Sequence, residues 1–148
     1  MRKLIIIIIF LLAIPIVGNA QLVPTRTQNS TSAEGSHVFS GTTLETIAVT
    51  WQTATTARYL MIFDGVALPS NGSTTSCTSQ GSSPVTGCLA WCGFMPNSTT
   101  APNLQTVDFT THPIMANFGI VAAMSTGAGC GTLTVDTTSN FFTAQVRY

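Results

Sequence analysis

After residue 3 the chain contains no lysine. Residues 21–148 hold three arginines (Arg26, Arg58, Arg147) against five acids (Glu34, Glu45, Asp64, Asp108, Asp136), a net charge of about −2. A protein that follows a phosphate backbone needs a basic footprint to displace counterions. That footprint is missing, so nucleic acid is not an expected partner. Histidine is equally scarce: His37 and His112 are the only two, and no G-x-S-x-G is present, so a nucleophile with its base has no sequence signature. Both histidines read as surface or hydrogen-bonded structural residues. Cys88-x-x-x-Cys92 lacks the short spacing of a zinc knuckle, both histidines lie far from it, and no run fits a calcium loop. No metal and no cofactor are expected. Helical periodicity is lacking too, since beyond the first 20 residues no such stretch exceeds a turn.

Those first 20 residues form a separate unit. Arg2 and Lys3 precede an apolar run, Leu4 to Val17, broken only by Pro15, and Gly18-Asn19-Ala20 supplies small residues at the positions a signal peptidase reads. Cleavage before Gln21 is the expectation. The alternative is a retained membrane segment, for which 14 apolar residues fall short of the roughly 20 that span a bilayer. An exported protein follows: extracellular, periplasmic or at a virion surface, and membrane-anchored if the segment stays. Residues 21–36 have no periodicity and read as an extended lead-in, leaving 37–148 as one domain.

Solubility here must come from hydroxyls and amides. Residues 21–148 contain 25 Thr and 13 Ser, and threonine, β-branched and polar at once, suits the wet face of a strand. Four cysteines, Cys77, Cys88, Cys92 and Cys130, follow the export signal and therefore predict two disulfides. Cys88 and Cys92 are too far apart along a strand to bond and tight for a loop. The favoured pairing is Cys77 with Cys88 and Cys92 with Cys130.

Alternation of period two is clearest in residues 44–64. Ile47, Val49 and Trp51 share one face while Thr46, Ala48 and Thr50 share the other, a half-buried strand. After a polar turn at 52–56, Tyr59, Met61 and Phe63 and also Leu60 and Ile62 are apolar, which predicts a central strand covered on both faces. A short edge strand is expected at 37–40. Residues 65–103 are too long for a bare loop and should contain structure, most plausibly around CLAWCGF (88–94). There Trp91 and Phe94 either cover one end of the core or form a binding surface, with core packing preferred.

Alternation resumes with Val107 and Phe109 on one face. Phe118, Ile120, Ala122 and Met124 then share a face opposite Val121 and Ala123, a second central strand. Gly127 to Gly131 predicts a tight turn before a short strand with Leu133 and Val135, and FFTAQVRY closes the chain with Phe142, Ala144, Val146 and Tyr148 together. About seven strands at this spacing predict an all-β fold, a single β-sandwich or jelly-roll-like domain with a disulfide-bearing long loop.

Few residues could carry chemistry. Glycoside hydrolysis needs two carboxylates across a cleft, and Asp64 and Asp108, each near a strand end, are the available pair, although Asp64-Gly65 also reads as an ordinary turn. GAGCGT (127–132) has the glycines of a phosphate loop without their spacing, and a strand rather than a helix follows. Asn29, Asn71 and Asn97 each begin a glycan acceptor triplet. An apolar closing strand would be an aggregation hazard as a flat edge, with no lysine to guard it. Either it is paired on both sides within the domain or another subunit covers it, and subunit contact is the preferred expectation.

The stretches ARYLMIFDGVALPSNGSTT (57–75), PNLQTVDFTTHPIMANFGIVAAMSTG (102–127) and FFTAQVRY resemble small β proteins encoded in tailed-phage and related viral genomes near virion genes. In these, a strand ending in an aromatic and a small polar residue leads through a proline-containing loop to a glycine-led apolar strand. The match covers about half of residues 21–148, and neither an export signal nor the insertion between Cys77 and Cys92 belongs to the pattern. The resemblance implies a virion surface or accessory role. Taken with the signal, it leads to the expectation of a non-enzymatic structural or interaction protein of a virion or cell surface, self-associating or bound to other surface proteins. A secreted glycan-binding or glycoside-hydrolysing β protein, and an N-terminally anchored virion protein, are the alternatives.

Overall fold

The computed structural model describes residues 24–51, 58–77, 87–96, 103–137 and 140–148. The N-terminal segment, the 52–56 turn and the Asn97 triplet lie outside the described residues. Among them are eleven strands and no α-helix: β1 (Thr25–Asn29), β2 (Ser36–Phe39), β3 (Thr43–Trp51), β4 (Arg58–Asp64), β5 (Gly72–Ser73), β6 (Cys88–Met95), β7 (Asn103–Asp108), β8 (Ile114–Met115), β9 (Ile120–Ser125), β10 (Thr132–Leu133) and β11 (Asn140–Arg147).

They form two packed antiparallel sheets and a small third layer. One sheet runs β1-β11-β3-β7, with β8 continuing the edge of β3; the other runs β2-β9-β4-β6; β5 pairs with β10. β3 and β4, adjacent in sequence, belong to opposite sheets. The expected lead-in is corrected as well. Thr25–Asn29 pairs with β11 over its whole length, so the folded unit begins well before residue 37. Alternation could not reveal this strand, because as an exposed edge it buries almost nothing.

Between the sheets lies the main core. Leu44, Ile47, Val49, Phe142, Ala144 and Val146 from the first sheet meet Phe39, Leu60, Ile62, Ile120, Ala122 and Met124 from the second. Leu44 and Ile47 are three apart, an odd spacing that would send them to opposite faces of a regular strand. A bulge reconciles them: Gln145 faces Thr46 and Val146 faces Leu44, so Glu45 is the extra residue. The expected face of the closing strand holds for Phe142, Ala144 and Val146 but not for Tyr148, which lies past the strand and is exposed. Likewise Phe118 falls before β9 and leaves the face shared by Ile120, Ala122 and Met124.

β4 and β9 are buried on both faces, as alternation predicts for β4. On the outer face Met61, Phe63, Val121 and Ala123 form a second cluster with Leu133, flanked by Leu68, Leu89 and Val135. This cover comes from the polar passage around β5 and β10, which is poor in apolar side chains. Two disulfides hold it: Cys77–Cys88, 11 residues apart, and Cys92–Cys130, 38 apart. The favoured pairing is the one present. Hydrogen bonds add to them, with Thr74 Oγ1 donating to the Cys130 carbonyl (2.7 Å), Leu89 N to the Thr75 carbonyl (2.7 Å), and Val135 N to Asn71 Oδ1 (3.0 Å). Ser125, fully buried, accepts from Thr134 N (2.9 Å) and Gly127 N (3.1 Å) and so shapes the glycine-rich turn. The Arg58 guanidinium meets Asp136 in a buried ion pair that ties the start of β4 to the far edge of the cover.

Loop-closure entropy ranks the two disulfides. Replacing Cys92 and Cys130 together by serine is expected to cost about 4 kcal/mol, and the Cys77/Cys88 double replacement about 3 kcal/mol. Urea unfolding of the oxidised variants checks this. A smaller loss from the 92–130 pair would show that the cover does not depend on the longer staple.

Candidate functional site: an apolar cleft at one end of the sandwich

Turns that bring the chain from sheet to sheet meet at the end where β4 stops and β3 begins. Asp64, the last residue of β4, is buried and accepts from Asn117 N (2.9 Å), Asn117 Nδ2 (3.2 Å) and Phe118 N (2.9 Å). These bonds pin the 116–119 turn against β4, helped by Gly65 N donating to the Gly119 carbonyl (3.0 Å). Gly119 has φ +153°, and a Cβ there would lie 3.0 Å from the Gly65 oxygen. Across from it, Gly41 has φ +133°, and a Cβ would meet the Arg147 oxygen at 2.7 Å. Both positions require glycine, because the chain approaches its neighbour closely in a left-handed conformation. Thr42 N donates to that same Arg147 carbonyl (2.9 Å), which places Tyr148 just beyond.

The result is a cleft of about 300 Å³ walled by Val38, Val66, Phe118 and Tyr148, with Phe39, Ser40, Thr42 and the three glycines at its base and rim. Val38, Val66 and Tyr148 are each more than half exposed. The Arg26 guanidinium lies 5.1 Å from the centre of the Tyr148 ring, in cation–π range. No lining residue is a carboxylate, histidine or cysteine. The cleft can take an apolar group and offers hydroxyls and backbone at its rim, but no group suited to general acid or base chemistry near neutral pH.

The residues singled out by sequence are dispersed. Asp64 and Asp108 lie in different sheets. Asp64 has both oxygens engaged by the 117–118 turn, while Asp108 is exposed and accepts from Thr110 N (2.7 Å). That backbone bond, joined by the Thr110 hydroxyl, holds the Asp108 carboxyl below its ordinary value. Because the folded value is the lower one, whatever this turn contributes to stability is present above the ordinary Asp range and lost as pH falls through the lowered value. His37 Nδ1 lies 2.5 Å from Glu34 Oε1 and its ring sits edge-on to Phe39, a structural role. His112 N donates to the Phe109 carbonyl within a turn (2.9 Å). Among the described residues no group of three or more His, Cys, Asp or Glu could hold a metal. Asn29 and Asn71 are exposed.

Trp91 and Phe94 do not form one surface. A second bulge, with Ile62 facing Trp91 and Phe63 facing Leu89, makes Ala90 the extra residue of β6 and turns Leu89 outward into the second cluster. Trp91 points inward, edge-on to Phe109 at 5.1 Å, whereas Phe94 points outward, half exposed, edge-on to Tyr59 at 5.6 Å. Packing is thus the role of Trp91 alone. The cleft residues Val38, Val66, Phe118 and Tyr148 were missed as a group because they come from four separate turns and strand ends, and no local spacing unites them. The one legible hint was glycine beside strand ends at 41, 65 and 119.

Two substitutions probe these placements. The Trp91 indole lies over Gly93, where a Cβ would sit 2.2 Å from a ring carbon. Gly93→Ala should displace the ring, cost about 1–3 kcal/mol and red-shift tryptophan emission; unchanged emission and stability would place the indole elsewhere. Asp64→Ala leaves the Asn117 and Phe118 amides without their acceptor and should cost about 2–4 kcal/mol in urea unfolding, whereas Asp108→Ala should change little. Comparison of the chain with protein-family models, curated proteins and solved structures finds no match in any of the three.

Proposed function

We propose that this protein is a non-enzymatic structural or interaction module of a virion or cell surface. The observation that carries the reading is the cleft: a concave, mostly apolar surface without a carboxylate, histidine or cysteine side chain, held by glycine-dependent turns at one end of a disulfide-stapled sandwich. Such a surface suits contact with an apolar group of a partner. The rest of the exterior, rich in threonine and poor in charge, suits a robust extracellular scaffold and offers little repulsion between copies. The virion assignment draws in addition on the resemblance to small viral β proteins.

A glycoside hydrolase is the competing class, and Asp64 is the reason to rank it second. A carboxylate whose two oxygens serve backbone amides of a turn is committed to architecture, and protonating or alkylating it in a catalytic cycle would release that turn. Glycan binding without hydrolysis has its best foothold in the exposed Phe94 ring beside Tyr59.

The reading is tested by locating the protein. Antibody labelling of intact cells and of purified particles should find it at one of those surfaces. The Val66→Ser/Phe118→Ser double variant should lose that location while the Asp108→Asn variant, at an exposed site away from the cleft, keeps it. A freely diffusing monomer, found on neither cells nor particles, would sink the proposal, as would hydrolysis of oligosaccharides abolished by Asp64→Asn.

A further inference from the structure

Exposed apolar side chains are not spread evenly over the molecule. Among the described residues eight large ones are exposed, and five of them, Val38, Val66, Met115, Phe118 and Tyr148, lie at the cleft end. Met115 belongs with the cleft residues because β8 pairs with the first residues of β3. Positive charge is distributed just as unevenly. Of the three arginines in residues 21–148, Arg58 is committed to Asp136 in a buried pair and Arg147 to Glu45, whose carboxylate also accepts from Thr25 Oγ1 at 3.1 Å. Arg26 meets no carboxylate among the described residues. Its guanidinium lies instead over the ring of Tyr148, a wall of the cleft, 5.1 Å from the ring centre. A second contact fixes its place. Gln28 lies on the same face of β1, two residues and about 7 Å along the strand, and its side-chain amide clasps the Ser40 backbone: Nε2 donates to the Ser40 carbonyl and Ser40 N donates to Oε1 at 2.9 Å. Ser40 lines the cleft, so the face of β1 that bears Arg26 runs along its rim. The Asp64 carboxylate at this end is spent on the Asn117 and Phe118 amides.

From this pairing of an apolar cleft with an uncommitted guanidinium we infer that the site captures the C-terminal residue of a partner chain, its apolar side chain in the cleft and its α-carboxylate on Arg26. This deepens the proposed surface role by naming the group that the cleft receives, and rests on that reading. The cleft, at about 300 Å³, is at the small end of the range of about 300–1,000 Å³ found for ligand sites, which suits one large side chain rather than a longer segment. A C-terminal leucine, methionine or phenylalanine carries an apolar group and a negative charge on one Cα. The same residue inside a chain would bring Arg26 an uncharged peptide group. A carboxylate is also the group that a planar guanidinium receives best, through two parallel N–H···O bonds. Capture of a terminal carboxylate is an established mode of peptide recognition, usually through backbone amides. Here the cleft lining supplies no charge, and the arginine at the rim supplies it.

The experiment titrates the isotopically labelled protein, purified as exported, and follows its amide NMR shifts. The probes are N-acetyl-Gly-Gly-Phe with a free carboxylate, the same peptide as its C-terminal amide, N-acetyl-Gly-Gly-Ser with a free carboxylate, and decanoate. Amides of Val38 to Thr42, Val66, Phe118 and Gly119 should move saturably with the phenylalanine acid, with Kd below about 1 mM. Its amide should bind about fivefold more weakly, the upper range for an exposed ion pair, and the serine peptide should not bind measurably. Arg26→Gln should abolish the preference for acid over amide and leave the affinity for the amide unchanged, whereas Phe118→Ser should weaken both by about tenfold. Both side chains are exposed, so the fold should survive either substitution. Equal affinity for acid and amide overturns the inference and leaves an apolar contact without charge recognition, in keeping with the proposed surface role. Binding of decanoate in place of the peptide gives the site to a fatty acid and overturns it as well. Shifts with none of the probes overturn it too, and the surface role then stands or falls on the location of the protein alone.

Discussion

Burial of both faces of β4 and β9 is the constraint on which the rest of the structure depends. One face is covered by the opposing sheet, whose strands are long and regular enough to do so. The outer face is not, and Met61, Phe63, Val121 and Ala123 must be shielded by residues from a passage rich in Ser, Thr and Gly. Leu133 is the one fully buried aliphatic residue this passage supplies, with Leu68 and Val135 only partly buried beside it, and two-residue strands hold few hydrogen bonds. Hydrophobic attraction alone gives such a layer a weak hold, because ordering each residue costs about 1–2 kcal/mol of backbone entropy. The two disulfides act on that cost by restricting the unfolded chain, which explains why all four cysteines lie in or against this layer and none in the main core.

The two bulges show how local irregularity serves that arrangement. At Glu45 the extra residue returns Leu44 to the core and gives Glu45 a different job: its carboxylate meets Arg147 and accepts from Thr25 Oγ1 at 3.1 Å. That couples the start of β1 to the end of β11 at the cleft. At Ala90 the extra residue keeps Trp91 inward while sending Leu89 outward to the second cluster, so one edge strand contributes to both cores. Bulges are common at sheet edges and near functional surfaces for this reason, since they redirect side chains without breaking the pairing.

Legibility in the sequence followed burial. Strands that bury a face or two, β3, β4, β9 and β11, carried their pattern in the residues, and the double burial of β4 was readable because Leu60 to Phe63 leaves no polar face. β1 carried none, since Thr25 to Asn29 is an exposed edge whose partner, not whose composition, makes it a strand. Strand geometry at Cys88 and Cys92 removed one of the three possible disulfide pairings, and the favoured one of the remaining two is the one present. The cleft was not reachable, since Val38, Val66, Phe118 and Tyr148 become neighbours only through the topology. Phe118 and Tyr148 were even assigned to shared strand faces, although β9 begins only at Ile120 and β11 ends at Arg147.

The position of β11 changes what the closing strand means. Read alone, FFTAQVRY is an apolar edge in need of a partner, and that need favoured contact between copies. In the fold it is paired on one side by β1 and on the other by β3, so its backbone groups are satisfied within the chain. β1 is what makes this possible, and β1 is the strand that directly follows the N-terminal segment. The exposed edge is thereby transferred to Thr25–Asn29, a polar strand that buries little and presents hydroxyl and amide side chains to water. Any surface for a partner must then be sought where apolar side chains are still uncovered. The strand that relieves the sheet of its hazardous edge begins beside Tyr148, at the end of the sandwich where most of them gather.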